Sequence, residues 1–240
     1  MQLFYLKNIN SDFLEGSEYN HCTNALRNKK GDVIYLTDGE GNLYNAKIFD
    51  IYDQKVYLKQ MKKIKSYKYP KSTSVAVAPP KNINRVEWMV EKLTEIGIEK
   101  IYFIKSSNSV RKKINFERLE KKVISAMKQC NSLFKTKLKG FYSTNEFLKK
   151  YDFENKFLAD INSKNLKFGK IREGSSVILI GPEGDFSKNE IMSFLDNQYK
   201  RISLGNMILR SETAAVVGGF LINNSIQKWL AWVSNPGPSP

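Results

Sequence analysis

The pattern of apolar and polar positions changes character near residue 70 of this 240-residue chain. Before that point, short apolar runs alternate with polar residues and predict β-strands joined by tight turns. The strands are expected at 32–38, 43–52 and 55–61. Asp-Gly-Glu-Gly-Asn, at 38–42, predicts a hairpin turn because glycine adopts positive φ at little cost. With one short helix around 21–27, this part predicts a small β-barrel.

From residue 74 onward, short buried strands alternate with amphipathic helices, which is typical of an α/β domain. Strands are expected at 74–78, 98–104, 137–142, 156–160, 175–180 and 200–205, and helices at 82–97, 115–130, 143–150, 187–198 and 211–227. Ser143 with Glu146, and Ser187 with Glu190, each have the spacing of a capping box at a helix start.

This change of pattern predicts two domains, a β-barrel at 1–72 and an α/β domain at 73–230. The last residues, 231–240, contain three prolines in their final six positions. We expect this tail to be disordered and assign it no function. No apolar run approaches the roughly 18 residues needed to span a bilayer, and the first residues lack a signal-peptide pattern. We therefore expect a cytoplasmic protein that does not enter membranes.

The net charge is +15, from 39 Lys and Arg against 24 Asp and Glu, and such a charge favours a polyanionic partner. The segment 58–71 contains six lysines and no acid, with Tyr67 and Tyr69 between them. Lysines can neutralise phosphates while tyrosines stack on unpaired bases. A second basic segment at 110–122 can equally be a solvated helix face. We predict RNA contacts at Arg27, Lys62, Lys63, Lys65, Tyr67, Arg111 and Lys112.

Cysteine and histidine are too few to form a metal site. Cys22 and Cys130 are far apart in sequence, and His21 is the only histidine, so no zinc set can be assembled. We expect both thiols to be buried. For His21, a structural or RNA-contacting role is favoured over catalysis.

Two glycine-containing loops are the candidates for chemistry. The first, 181–186 (Gly-Pro-Glu-Gly-Asp-Phe), follows a predicted strand and precedes a helix, where open α/β sheets hold their ligands. It lacks the GxGxxG and Lys-Ser/Thr patterns of phosphate-binding loops, and Glu183 would repel a phosphate. A ligand with positive charge, or with hydroxyls and an amine, fits better. A plain strand-to-helix turn is the alternative.

The second loop repeats this arrangement at the next strand end. Gly205 is followed by the apolar pair Ile208 and Leu209, and Arg210 stands immediately before a helix. Apolar side chains beside a glycine turn can sandwich a purine, and Arg210 can grip an anion or polarise a base carbonyl. The small residues at 214–219 predict close packing of this helix, against the sheet or against a partner helix.

The two loops, the 38–42 turn and the segments 25–32 and 85–98 resemble the motifs of the RsmE type of the SPOUT superfamily, and they follow one another in the same order as in that family. Those enzymes methylate N3 of a uridine in 16S ribosomal RNA of the small subunit. The resemblance covers nearly the whole chain. It implies a PUA-like β-domain for RNA and an α/β domain with a trefoil knot at its C-terminal end. It also implies S-adenosylmethionine as cofactor, no metal, and a homodimer with the cofactor site near the subunit interface.

The resemblance also implies the site residues. One wall of the cofactor site is carried over to Ile180, Gly181, Pro182, Glu183 and Gly184. The other wall is carried over to Leu204, Gly205, Met207, Ile208, Leu209, Arg210, Glu212, Thr213 and Ala214. Arg210 and Glu212 are the expected catalytic residues, although either Glu212 or Glu183 could accept the proton. The chain departs from the family pattern at Asp185, where a glycine is common, and at 131–138.

Three other functions fit parts of the sequence. A non-catalytic RNA-binding assembly factor would account for the charge but would leave the two glycine loops unused. A dinucleotide-dependent oxidoreductase lacks its GxGxxG. A knotted methyltransferase acting on transfer RNA or another ribosomal site stays open, since only the extent of the resemblance favours the small subunit.

Overall fold

A computed structural model of the chain describes residues 2–69, 72–163, 171 and 174–225. The chain divides into two compact units. The first comprises Met1–Tyr69 with Ile124–Lys135, and the second comprises Pro70–Val123 with Thr136–Pro240. Residues 124–135, which the sequence pattern assigned to the second domain, are thus grouped with the first unit. The predicted helix end beyond residue 225 and the predicted disordered tail lie outside the described residues.

The first unit is built on a five-stranded sheet with the order β1-β3-β4-β5-β2. Its elements are β1 (Leu3–Tyr5), β2 (Phe13–Leu14), α1 (Gly16–Asn20), a π-helical turn (His21–Ala25), β3 (Val33–Thr37), β4 (Asn42–Tyr52) and β5 (Lys55–Ser66). Only β1 and β3 pair in parallel; the other pairs are antiparallel. In the described residues β1 and β2 form open edges, so the hydrogen bonding does not close the predicted barrel.

Turn chemistry sets the hairpins of this sheet. Gly39 and Gly41 have φ of 76° and 94°, as the Asp-Gly-Glu-Gly-Asn turn predicts. The β4–β5 turn consists of Asp53 and Gln54, both with φ near 50°. Positive φ at both central residues is typical of two-residue hairpin turns, whose twist matches that of the flanking strands. Strand β5 continues to Ser66, beyond its predicted end at residue 61, because its last residues pair with β4 as far as Asn42.

The second unit is built on a six-stranded parallel sheet with the order β11-β9-β10-β6-β7-β8. Its strands are β6 (Thr73–Val77), β7 (Lys100–Lys105), β8 (Lys137–Ser143), β9 (Asn155–Ala159), β10 (Ser176–Ile180) and β11 (Lys200–Ile202). Its helices are α2 (Ile83–Glu95), α3 (Phe116–Gln129), α4 (Thr144–Lys150), α5 (Lys188–Asp196) and α6 (Ser211–Asn224). Helix α3 crosses the division, since its residues from Ile124 belong to the first unit.

Strands β6 and β10 are buried along their whole length and form the centre of this sheet. Helix α6 packs tightly on them. A Cβ built at Gly218 would lie 2.8 Å from Cδ1 of Ile178, and one at Gly219 would lie 3.1 Å from Val75. Helix α2 is a second packing partner, since the Cβ built at Gly219 would also lie 3.1 Å from Cδ2 of Leu93, so the sheet and a helix together account for the glycines. No helix in the described part of the chain is long and apolar enough to cross a membrane.

Candidate functional site

Three loops at the carboxyl edge of the parallel sheet enclose one cavity of about 350 Å³, which we call the strand-end cavity. The loops follow β9, β10 and β11, three consecutive strands of the chain that lie side by side in the sheet in the order β11-β9-β10. Residues 159–161, 180–185 and 203–211 contribute lining groups, and α6 adds Ala214. Its volume lies within the range of small-molecule sites. Parallel strand ends thus create a ligand-sized crevice at the place that open α/β sheets use.

The loop after β10 is a tight turn held by its own backbone. The Asp185 N–H donates to the Pro182 carbonyl at 3.0 Å. The residue in left-handed conformation is Asp185, with φ of 58°, rather than either glycine of the motif. Aspartate tolerates this region better than most residues, and its Oδ1 accepts from the Phe186 N–H at 2.7 Å. The family's preference for glycine at this position therefore has a conformational reason.

The predicted capping box at the start of α5 is confirmed, and it also links two loops. Glu190 accepts from Ser187 Oγ at 2.8 Å and from the N–H and Oγ of Ser107, at 3.0 and 2.8 Å. Burial acts to raise the pKa of Glu190, but the hydrogen bonds from Ser187 and Ser107 outweigh it and lower that pKa below its usual value. Asn108 adds bonds to the carbonyls of Gly184 and Asp185, at 3.1 and 3.0 Å. The loop after β7 thus fixes the loop after β10.

Arg111 also helps to hold the loops around the cavity in place. Its Nε donates to the Pro80 carbonyl at 2.9 Å, and its Nη2 donates to the Lys81 carbonyl. The N–H of Lys81 in turn donates to Glu183 Oε1 at 3.3 Å. Arg111 was predicted to contact RNA, but its guanidinium donates to two backbone carbonyls of the 79–81 loop and helps to satisfy these acceptors.

The loop after β11 depends on one glycine conformation. Gly205 has φ of 135°, which side-chain-bearing residues rarely adopt. Ser203 Oγ donates to the Gly205 carbonyl at 2.9 Å and accepts from its N–H at 3.3 Å. The loop then exposes Met207 and Ile208, which are 79% and 85% accessible. The predicted apolar pair is therefore split, since Ile208 is exposed and Leu209 is partly buried.

Arg210 and Glu212, the predicted catalytic pair, have different surroundings. Arg210 is exposed, lines the strand-end cavity and makes no ion pair within the described residues. Glu212 is buried, does not line the cavity, and lies 3.6 Å from Nε of Arg85 on α2. An acidic residue in the first turn also suits the helix dipole of α6. This environment fits Glu212 for holding the start of α6 rather than for exchanging protons in the cavity.

All predicted cofactor-binding residues except Gly184, Glu212 and Thr213 line the strand-end cavity. Gly184 turns its carbonyl to Asn108, and Thr213 lies partly buried in the first turn of α6. The third wall, formed by Ala159, Asp160 and Ile161, was missed. Asp160 is 8% accessible and pairs with Arg201 at 2.6 Å. The sequence does place Asp160 at the end of an apolar strand, which could have marked it as a candidate. The sheet order that places β9 beside β10 could not be predicted from the sequence.

The predicted RNA-binding residues lie in several places. Lys62, Lys63 and Lys65 are exposed on β5, and we call these three the basic ribbon. Just before these lysines, a bulge at Gln60, with φ of 55°, shifts the alternation of side chains between the two faces of the strand. Tyr67 is 38% accessible, Arg27 is exposed in the first unit, and Lys112 is exposed in the second. Lys71 lies outside the described residues.

His21 and the cysteines have structural surroundings. The His21 ring packs on Phe4 with centroids 5.3 Å apart, and burial, followed by the charge of Lys128, lowers the pKa of its imidazole. Both favour the structural role. Cys22 is fully buried as predicted, and burial raises the pKa of its thiol. Cys130 is only partly buried, contrary to expectation, because it follows the last turn of α3.

Comparison with known proteins identifies the class of protein to which this chain belongs. A family profile described as "RNA methyltransferase domain" matches residues 68–222, and one described as "RNA methyltransferase PUA domain" matches 14–60. The crystal structure of a "probable rRNA-methyltransferase" from Porphyromonas gingivalis is 33% identical, with a TM-score of 0.86 over 94% of this chain and 98% of that one.

Two further relatives bear the name "Ribosomal RNA small subunit methyltransferase E". The one from Rickettsia conorii is 29% identical over 87% of this chain and 90% of its own. The one from Neisseria gonorrhoeae, solved bound to S-adenosyl methionine, is 24% identical with a TM-score of 0.81 over 93% of this chain and 97% of its own. These matches define an RNA methyltransferase with a PUA-like domain. The chain belongs to the ribosomal RNA small subunit methyltransferase E family, the RsmE type that its motifs resemble.

Proposed function

We propose that this protein transfers a methyl group from S-adenosylmethionine to N3 of a uridine in 16S ribosomal RNA of the small subunit. One observation carries the proposal. In a chain of this family, the two motif loops and the end of β9 meet in a single cavity large enough for a small-molecule cofactor. The net charge of +15 agrees with an RNA substrate.

The lining of the strand-end cavity fits S-adenosylmethionine. Ile180, Leu204 and Leu209 offer apolar surface for an adenine ring, and the backbone of the turns can read its edge. Three carboxylates, those of Asp160, Glu183 and Asp185, also line the cavity, which favours a ligand with cationic groups. A phosphate-rich nucleotide would be repelled by the same carboxylates. We assign cofactor binding to the predicted residues that line this cavity.

When bound, the cofactor supplies a methyl group already activated on a sulfonium, so the protein has chiefly to orient the acceptor and help ionise it. Uridine N3 carries a proton between two carbonyls and must lose it for the N–C bond to form. Arg210 carries a permanent positive charge at the cavity and would stabilise the imide anion as it develops. Of the two carboxylates considered for the proton, only Glu183 lines the cavity.

RNA binding is assigned mainly to the first unit and its charges, with Lys112 of the second unit as a further contact. N3 is hidden in a paired or stacked base, so the target uridine must leave its stack to reach the cavity. The exposed amines of the basic ribbon can hold the RNA backbone meanwhile. We keep Arg27, Tyr67 and Lys112 as proposed contacts and omit Arg111, since its guanidinium is used within the protein.

Family membership supports four finer proposals. Residues 1–72 serve mainly RNA binding, and 73–230 serve catalysis. The chain in the second unit forms a trefoil knot around the cofactor loops. The protein acts in the cytoplasm, where ribosomal subunits assemble. It works as a homodimer, which agrees with the exposure of Met207 and Ile208 beside the cavity, since apolar groups this accessible favour coverage by another chain.

Two measurements test the proposed function. Calorimetric titration with S-adenosylmethionine should show one site per chain, and heat-free titration would contradict a methyltransferase. Labelled cofactor should then mark a single uridine in small subunits lacking the modification, with transfer RNA and large subunits as controls. Label in transfer RNA instead would redirect the proposal to another substrate of the same chemistry.

A further inference from the structure

The outward face of the β4–β5 hairpin is aromatic, which is unusual for a solvated sheet face. Along this hairpin the residues that pair as Ile48 with Leu58 and Ile51 with Val56 point toward the core. The alternate pairs therefore point outward, and they bring Tyr57 and Tyr52 to the surface. Phe13 of β2 pairs with Tyr57 on the same face, and Phe49 lies at a bulge in β4.

These four rings, Phe13, Phe49, Tyr52 and Tyr57, are here called the aromatic platform. Tyr52 and Tyr57 stack with centroids 4.4 Å apart and planes 16° apart. Phe13 continues the row, 6.0 Å from Tyr57. Accessibility remains high, at 57% for Tyr52 and 49% for Phe49. A stacked ring that is more than half accessible can receive another flat group.

Ammonium groups surround the aromatic platform. Lys55 lies 4.3 Å from the centre of the Phe13 ring, and Lys59 lies 4.8 Å from that of Phe49. Lys30 is 5.6 Å from Phe49 and also pairs with Asp50 at 2.9 Å. Flat rings bordered by flexible cations complement a strand that alternates flat bases with phosphates.

Sheet stability alone accounts for only part of this pattern. Cross-strand aromatic pairs stabilise a sheet, and that explains the contact between Tyr52 and Tyr57. It does not explain Phe49, which contacts no ring that the described residues record and exposes half its surface between two lysines. The bases of a duplex are paired and stacked internally, so their faces are closed to such rings.

We propose that the aromatic platform stacks on unpaired bases of the RNA substrate while Lys30, Lys55 and Lys59 contact the adjoining phosphates. This inference rests on the proposed function in that RNA is the partner. It adds a place, the outward face of β2, β4 and β5, and a kind of target, a single-stranded segment of the RNA.

The test uses the full-length protein and a labelled single-stranded RNA of roughly 12 nucleotides, within the usual site size. Fluorescence anisotropy gives its affinity, with a duplex of the same sequence as comparison. Tyr52→Leu and Phe49→Leu keep apolar bulk but remove the π-face, and each should weaken single-strand binding about tenfold. Tyr52→Phe keeps the ring and should bind within about twofold of the parent.

Salt dependence separates stacking from charge. The Leu variants should keep the parent's slope of log affinity against log salt, whereas Lys59→Gln should lower it by about 0.7, as expected for one lost contact with a single strand. Parental affinity in both Leu variants, or equal losses for single strand and duplex, would overturn the proposal. Thermal unfolding identifies any variant that is poorly folded, in which case Tyr52→Ser and Phe49→Gln replace the Leu variants.

Failure here is distinguishable from failure of the proposed function. The variants lie outside the strand-end cavity, so calorimetric affinity for S-adenosylmethionine should equal the parent's. A parent that binds the cofactor, with Leu variants that bind RNA normally, rejects the aromatic platform alone. A parent that binds single-stranded RNA through these rings but takes up no cofactor rejects the methyltransferase alone.

Discussion

The strand-end cavity and the basic ribbon use the chain in opposite ways. The cavity is shaped by backbone turns that follow buried parallel strands, and several of its neighbours, including Glu190, Asn108 and Arg111, are occupied in holding those turns. The basic ribbon consists of exposed lysines on a strand whose end has both faces in solvent. The loops of the cavity support one another, so a change in one loop affects the shape of the whole cavity. Each lysine of the basic ribbon, in contrast, contributes its charge almost independently of the others. Substitutions should therefore act sharply in one region and gradually in the other.

The largest effect is expected at Arg210. Replacing it with alanine should lower the rate of methyl transfer about 100- to 1000-fold, the range for losing one group that stabilises developing charge. RNA affinity should change little. Single-turnover transfer of labelled methyl groups measures the rate, and Arg210→Lys, which keeps a positive charge, should recover part of it. Unchanged turnover in the alanine variant would remove Arg210 from the mechanism.

The next effect concerns the basic ribbon. Changing Lys62, Lys63 and Lys65 together to glutamine should weaken RNA binding at least about tenfold and lower the salt slope by about 2, since about 0.7 is expected per contact with a single strand. Cofactor affinity should not change. Each single variant should contribute about a third of the slope change. An identical slope for parent and triple variant would make the ribbon ordinary solvated surface.

A matched pair of loop variants tests the role of backbone conformation. Gly205→Ala forces a side chain onto φ of 135°, which costs about 1–3 kcal/mol, and cofactor affinity should fall about tenfold. Asp185→Gly relieves a left-handed residue and should leave affinity within about threefold of the parent. Calorimetry with S-adenosylmethionine measures both. Equal tolerance at the two positions would show that the loop after β11 adapts freely.

The smallest effect is expected at Glu190. Its pKa is lowered in the folded protein, so its stabilisation is complete above the unfolded pKa and disappears as pH falls through the folded one. Glu190→Gln should lower the free energy of unfolding by about 0.5 kcal/mol at pH 7 and flatten the loss of stability in acid. Urea unfolding between pH 3 and pH 7 measures this. Parallel curves for variant and parent would assign the acid sensitivity elsewhere.

Features governed by neighbouring residues could be predicted from the sequence. The turn at Gly39 and Gly41, both capping boxes and the two motif loops follow from local rules of backbone conformation and helix starts. The prediction of a cavity at the strand ends was sound for the same reason, because the position of a loop after a buried strand is itself a local feature.

Features that depend on distant partners could not be predicted. Asp160 forms a cavity wall only because β9 lies between β10 and β11, and sheet order is not encoded in any short segment. Arg111 lies in a basic segment that predicts RNA contacts, yet its guanidinium donates hydrogen bonds to the carbonyls of Pro80 and Lys81. Glu212 is likewise predicted to be catalytic, and its ion pair with Arg85 could not be predicted from the sequence. Charged residues serve structure or function according to neighbours that only the fold supplies.

The position of β9 has a consequence for synthesis of the chain. Walls of the strand-end cavity come from residues 159–161, 180–185 and 203–214, so the last wall is synthesised after the other two. A nascent chain that stops before residue 203 has two of the three walls and lacks Arg210 of the third. We expect such a fragment to bind the methyl donor weakly. Competence should arise when the loop after β11 and the start of α6 pack beside the other two walls.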